Sequence, residues 1–175
     1  MQELKLELTD HVWPLTYIDH DRKIVRAIVF DKEKNFYFVT SQRDDEFGKV
    51  TLIEISGGGV EAGEDLESAL KRELKDELGA QVKIITKIGV VSDYYNVIHR
   101  HNLNNYYLVQ ALSFGEKHLT KDEQEKFHLS TVKLSYQEAE KAYERATQDK
   151  LGKLITAREL PILRRAKELL DSNHA

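Results

Sequence analysis

The chain has 175 residues, a length that suits one domain with a substantial core. Charged residues make up 32%, but 26 Lys and Arg stand against 30 Asp and Glu, so no broad basic field exists for non-specific nucleic-acid binding. Cysteine is absent, which excludes disulfide partners, thiolate zinc sites and cysteine nucleophiles, and no apolar run approaches the roughly 18 residues of a membrane span.

The N-terminus, Met-Gln-Glu-Leu-Lys-Leu-Glu, lacks the basic-then-apolar order of a signal peptide. The expectation is a single cytoplasmic domain over residues 1–175 with no membrane partner, as a monomer or a homodimer. Ile24 to Asp31 and Asn35 to Ser41 flank the polar Lys32-Glu33-Lys34 and read as a hairpin. Thr51 to Ser56 is a third strand, running into the glycines 57, 58 and 59 of a turn. From Asp65 to Leu78 the apolar positions 66, 69, 70, 74 and 78 follow helical spacing, with Gly79 as the stop. Val82 to Val91 and Asn105 to Phe114 are strands joined by a polar loop that contains tyrosines and histidines. Phe127 to Leu134 gives another short strand. Ser135 with Glu138 forms a capping box for a helix to about Ala146, and a last helix spans about Ala157 to Leu170. Mixed strands with segregated helices point to an α/β or α+β sandwich.

The chemistry concentrates between Gly57 and Ala80, GGGVEAGEDLESALKRELKDELGA. Glycines permit close backbone approach, which suits a loop that touches phosphate or lends a carbonyl to a metal; a tight strand-to-helix connection is the plainer alternative. With Leu66 at zero on the helical wheel, Glu73 falls at about 340° and Glu77 at about 20°, inside the apolar arc, with Asp76 at its edge. Crowded carboxylates on an apolar stripe suit a hard oxygen-liking cation, Mg²⁺ or Mn²⁺. An acidic helix end paired with Lys71 and Lys75 would account for the same spacing.

These residues resemble the Nudix box, G-x5-E-x7-R-E-U-x-E-E-x-G-U with U aliphatic. Gly58, Glu64, Arg72, Glu73, Leu74, Asp76, Glu77, Gly79 and Ala80 stand at the matching spacing. Asp76 replaces the usual Glu, Ala80 is a small aliphatic, and Ile53 and Ser56 stand where Trp and Pro are common. The resemblance implies a Nudix-type α/β/α sandwich with a mixed central sheet. It also implies MutT-like, Mg²⁺-dependent hydrolysis (Mn²⁺ as a substitute) of a diphosphate linkage in a nucleotide-type small molecule: a nucleotide sugar, a dinucleoside polyphosphate or a nucleoside triphosphate. A catalytically silent Nudix-fold nucleotide-binding module would be expected to lose box charges, and an isoprenoid isomerase would need a cysteine.

By matching position, the resemblance makes Glu73, Asp76 and Glu77 the metal ligands, with the carbonyl of Gly57 or Gly58 as a further one. Glu64 supports that shell, and Arg72 holds the carboxylates by ion pairing. The general base lies in the box (Glu73, Glu77) or on a later loop, where HLTKDEQEKF offers Glu123 or Glu125. Substrate-binding candidates are Gly58, Gly59, Arg43 and Tyr95. No proline follows the box where ADP-ribose pyrophosphatases carry one, whereas Tyr94 and Tyr95 lie near the tyrosine of diadenosine polyphosphate hydrolases. His99 and His101 could share a strand face for a metal, but an exposed loop pair is the simpler expectation.

Overall fold

A computed structural model describes residues 2–172, so the expected span of 1–175 extends past it at both ends. Its strands are β1 (Leu4–Glu7), β2 (His20–Phe30), β3 (Phe36–Asp45), β4 (Gly48–Glu54), β5 (Ser56–Gly59), β6 (Ala80–Tyr95), β7 (Arg100–Phe114) and β8 (Ser130–Leu134). Its helices are α1 (Leu66–Leu78), α2 (Lys121–Glu125), α3 (Tyr136–Ala146) and α4 (Lys150–Ser172). No helix among the described residues is long and apolar enough to cross a membrane.

The strands form one mixed sheet in the order β1-β6-β7-β2-β3-β4, with β5 also paired to β2 and β8 to β3. β1 runs parallel to β6 and β2 parallel to β7, while the remaining pairs are antiparallel. Alternation of side chains along β2 feeds two apolar layers. Val25, Ala27 and Val29 meet Leu70, Leu74 and Leu78 of α1. Ile28, on the opposite face, joins Tyr143 of α3 and Ile162 and Leu163 of α4. Helices thus cover both faces of the mixed sheet, as expected.

Several boundaries differ from the sequence reading. The glycines are not a turn: Ser56 to Gly59 pair with Ala27 to Ile24 of β2, and the turn follows at Glu61 to Gly63. The polar loop between β6 and β7 shrinks to a single 3₁₀ turn, Asn96–Ile98, because both strands run on through their tyrosines and histidines. The last helix begins at Lys150 rather than near Ala157 and continues through Pro161. Gly152 hides that start. A Cβ there would come within 1.9 Å of the Ala146 carbonyl oxygen, so glycine is what lets α4 turn back against α3. β1 and α2 were not anticipated; the first is too short for periodicity to register. The helix behind the glycines does span the expected residues, capped by Asp65 and closed by a left-handed Gly79.

A cluster of charge lies between α4 and the sheet. The Arg158 guanidinium is 2.9 Å from Glu54, 3.2 Å from Asp93 and 3.5 Å from Glu159, and donates to the Tyr95 hydroxyl at 2.6 Å. Glu159 accepts from Ile55 N (2.8 Å), Tyr106 (2.7 Å) and Tyr143 (2.9 Å). Burial pushes the Glu159 carboxyl up, against the pull of Arg158 and Arg26.

Two outcomes test this packing. Gly152→Ala should destabilise by about 1–3 kcal/mol in urea denaturation, although an alanine in an open helix interior would stabilise by about 1 kcal/mol; a stabilised variant would refute the close approach. Glu159→Leu strands three buried donors and should cost about 3–5 kcal/mol. Glu159→Gln keeps an acceptor oxygen and should cost markedly less, and equal losses would show that the hydrogen bonds are not what matters.

Candidate active site

Glu77 lies on the apolar face of α1 and is only 7% exposed, because its helical position points at the sheet along with Leu70 and Leu74. Its Oε1 accepts from Ser56 Oγ at 2.6 Å and from the Gly57 amide at 3.1 Å. Burial pushes the Glu77 carboxyl up to about 8, against the opposing pull of Ser56 and of the Arg26 charge. Glu73, one turn earlier, is also raised by burial and opposed by Arg72; the charges of Glu123 and Asp76 add to the rise. Glu123 raises Glu77 as well, so these acids share one electrostatic neighbourhood.

Arg72 gathers the rest of the box. It donates to both oxygens of Glu64 (Nε 2.7 Å, Nη2 2.8 Å), to Glu73 Oε1 (2.8 Å) and to the Gly59 carbonyl (3.2 Å). This fork holds the Glu64 carboxyl well down, to about 2, and ties β5 to α1. Gly58 is where the two elements touch: a Cβ there would meet the Glu73 carboxylate at 2.5 Å. The glycine run therefore serves a close approach of backbone to carboxylate.

The carboxylate end opens on a cleft of about 350 Å³ that reaches from Gly57, Gly58 and Glu77 to Arg100, Tyr95 and Phe127. Glu123 lines it from α2, where it also completes a capping box: its Oε1 accepts from the Thr120 amide at 2.8 Å. Glu125 is exposed and outside the cleft, so the structure separates the two loop candidates. Arg43 lines the cleft, paired to Asp45 at 2.9 Å and lying 5.2 Å and 4.8 Å from the ring centres of Phe47 and Phe127. Tyr95 lines it too, its ring beneath the Arg100 guanidinium at 5.3 Å. Tyr94 points to the opposite face and packs on His101. His99 and His101 do not converge: His99 stacks on Tyr17, and His101 bonds Ser92 and Asp21.

Among the described residues no three His, Asp or Glu side chains converge closely enough to hold a metal ion. Glu73 is turned to Arg72 and Glu77 to Ser56. The donor set is nonetheless one a hard divalent cation takes: carboxylate oxygens, two of them raised by burial, beside a glycine backbone with no Cβ in the way. The sequence reading missed Ser56, Glu54 and three of the cleft arginines, Arg22, Arg26 and Arg100. Arginines four apart on a strand share a face, and that spacing at 22 and 26 was a usable signal.

The family model described as the NUDIX domain matches residues 20–155. Nucleoside triphosphatase NudI of Escherichia coli (strain K12) is 59% identical over 34 residues, 19% of this chain and 23% of that protein, so the chain matches about a quarter of the length of this relative. A NUDIX hydrolase from Nitrosomonas europaea has a TM-score of 0.57 at 17% identity, over 69% of this chain and 76% of that one. A MutT protein from Methanosarcina mazei Go1 has a TM-score of 0.56 at 12% identity, over 89% and 97%. These structures share the fold. With a matched domain that takes in β2 through the start of α4 and includes the whole carboxylate helix, the chain belongs to the NUDIX family.

Proposed function

We propose that the protein is a divalent-metal-dependent pyrophosphohydrolase that cleaves a diphosphate linkage in a nucleoside diphosphate derivative, with Mg²⁺ as the ion and Mn²⁺ as a substitute. The observation that carries this reading is the buried Glu77, on the apolar face of α1 beside Glu73 and in range of Glu123, at the mouth of an arginine-lined cleft. A carboxylate placed there with no catalytic task would be costly, because burial disfavours its charged form.

In this reading Glu73, Asp76 and Glu77 hold the metal, with the carbonyl of Gly57 or Gly58 beside them. Arg72 aims Glu73 and, through Glu64, fixes the turn that leads into α1. A bound divalent ion neutralises diphosphate charge and makes water more acidic. Ser56 and Gly57 keep Glu77 in place, and Glu123, facing the same space from α2, accepts the proton of the attacking water. Arg43, held between two aromatic rings, and Tyr95 lie further into the cleft, where the rest of the substrate would bind. The NudI relatives are described as nucleoside triphosphatases, which favours a nucleoside triphosphate among the three substrate classes.

Turnover on a panel of nucleoside diphosphate derivatives should require Mg²⁺ or Mn²⁺ and stop in excess chelator; full turnover with chelator present would overturn the metal reading. Glu77→Gln should lower kcat on the best substrate by about 10²–10³-fold while the protein stays folded. Near-normal kcat would remove α1 from the chemistry.

Stability without metal gives an independent reading. The folded-state Glu77 carboxyl titrates at about 8 against an ordinary 4.5. Its neutral form is thus favoured in the folded protein, and that contribution is complete below about pH 4.5 and lost as the pH rises towards 8. Melting temperatures of the metal-free protein should fall over that window more steeply in wild type than in Glu77→Gln, and parallel slopes would contradict the assignment.

A further inference from the structure

The cleft contains four arginines, and two of them have carboxylate partners: Arg26 is 3.3 Å from Glu54 and Arg43 is 2.9 Å from Asp45. Arg22 and Arg100 form no ion pair among the described residues. They sit on the neighbouring parallel strands β2 and β7, where His20 is level with Arg100 and Arg22 with Asn102. Alternation places both on the sheet face that also carries Arg26.

Their surroundings leave the guanidinium edges free. Arg100 donates from Nε to Asn102 Oδ1 at 2.6 Å, and its two Nη groups have no protein acceptor among the described residues. Arg22 rests on β5: a Cβ on Gly59 would come within 3.1 Å of its Nη2 and 3.2 Å of its Nε. Gly59 directly follows Gly58, whose other side meets the Glu73 carboxylate, and the Glu73 charge reaches Arg22 across this narrow strand. Burial and then the Arg22 charge push Arg100 down to about 10; burial and then the Arg26 charge lower Arg22. Glu73 and Glu54 pull on Arg22 from a distance, but neither arginine has a carboxylate within ion-pair reach among the described residues, which leaves both poised for an anion from outside. Guanidinium forks suit phosphate in particular.

We propose that Arg22 and Arg100 bind a third phosphoryl group, contiguous with the diphosphate beside the carboxylate helix, and so select nucleoside triphosphates over diphosphates joined to a neutral sugar. The contiguity comes from Arg22, which abuts β5 one residue beyond the point where Glu73 touches the backbone. An anion carried on a distant part of the substrate would not reach it. This inference rests on the hydrolase reading above for where the diphosphate lies.

The test is the ratio of kcat/KM for a nucleoside triphosphate to that for the diphosphate of the same nucleoside, with Mg²⁺. Calorimetric binding of inorganic tripolyphosphate against pyrophosphate accompanies it. Arg22→Gln and Arg100→Gln should each lower the ratio about tenfold and weaken tripolyphosphate about tenfold relative to pyrophosphate. Arg164→Gln, on the exposed side of α4 and paired with Glu140, should leave the ratio unchanged. Arg22 stands at the solvent-exposed start of β2 with only its guanidinium end drawn into the cleft, so its variant remains informative if Arg100→Gln fails to fold. A ratio within twofold of wild type in the folded variants, or a loss shared equally by tri- and diphosphate, overturns the assignment. If no diphosphate linkage is cleaved under any metal, the hydrolase reading fails on its own. Tripolyphosphate binding then decides: weakened in the variants supports the anion site, and unchanged refutes it.

Discussion

Arg158 is completely buried between α4 and the sheet, and a guanidinium in that position costs several kcal/mol unless carboxylates and hydrogen bonds enclose it. The chain encloses it with four residues from three elements: Glu54 on β4, Asp93 and Tyr95 on β6, and Glu159 beside it on α4. Arg26 of β2 joins through Glu54 and donates to the Ile55 carbonyl at 2.8 Å. Strands far apart in sequence must therefore meet in one register, because a slip by one residue would turn an acid away and leave a buried charge alone.

The active-site end inherits this rigidity. Glu159 grips the Ile55 amide, Arg26 grips the Ile55 carbonyl, and the next residue, Ser56, donates to Glu77. A continuous set of hydrogen bonds thus runs from the interior of α4 to the carboxylate of α1 through a single peptide segment. On the other side Arg72 clamps α1 to the Gly59 carbonyl. β5 is held from both faces, which suits a strand whose glycines could not hold a conformation through their own side chains.

What could be read from the sequence was local. Leucines one turn apart gave α1, the capping residues gave α3, and the helical wheel already placed Glu73 and Glu77 among the leucines, where the structure finds them. What escaped depended on distant partners. Arg158 and Glu159 drew no assignment in a helix expected to start near Ala157; they are fully buried, and the acids that enclose Arg158 come from β4 and β6. Arg100 was assigned to a loop because tyrosine, histidine and asparagine look polar in one dimension, while pairing with β6 makes that stretch a strand. The glycine run read as a turn because nothing in it announces that β2 lies alongside at contact distance.

Glu123 serves two masters. One of its oxygens closes the cap of α2, a helix of five residues with no buried side chain, while the residue faces the cleft. So short a helix has little besides its cap to hold it together. If Glu123 turns wholly towards a ligand, the Thr120 amide loses the acceptor that Oε1 supplies and the first turn of α2 loosens. Segment order and the state of one carboxylate are then two views of the same equilibrium.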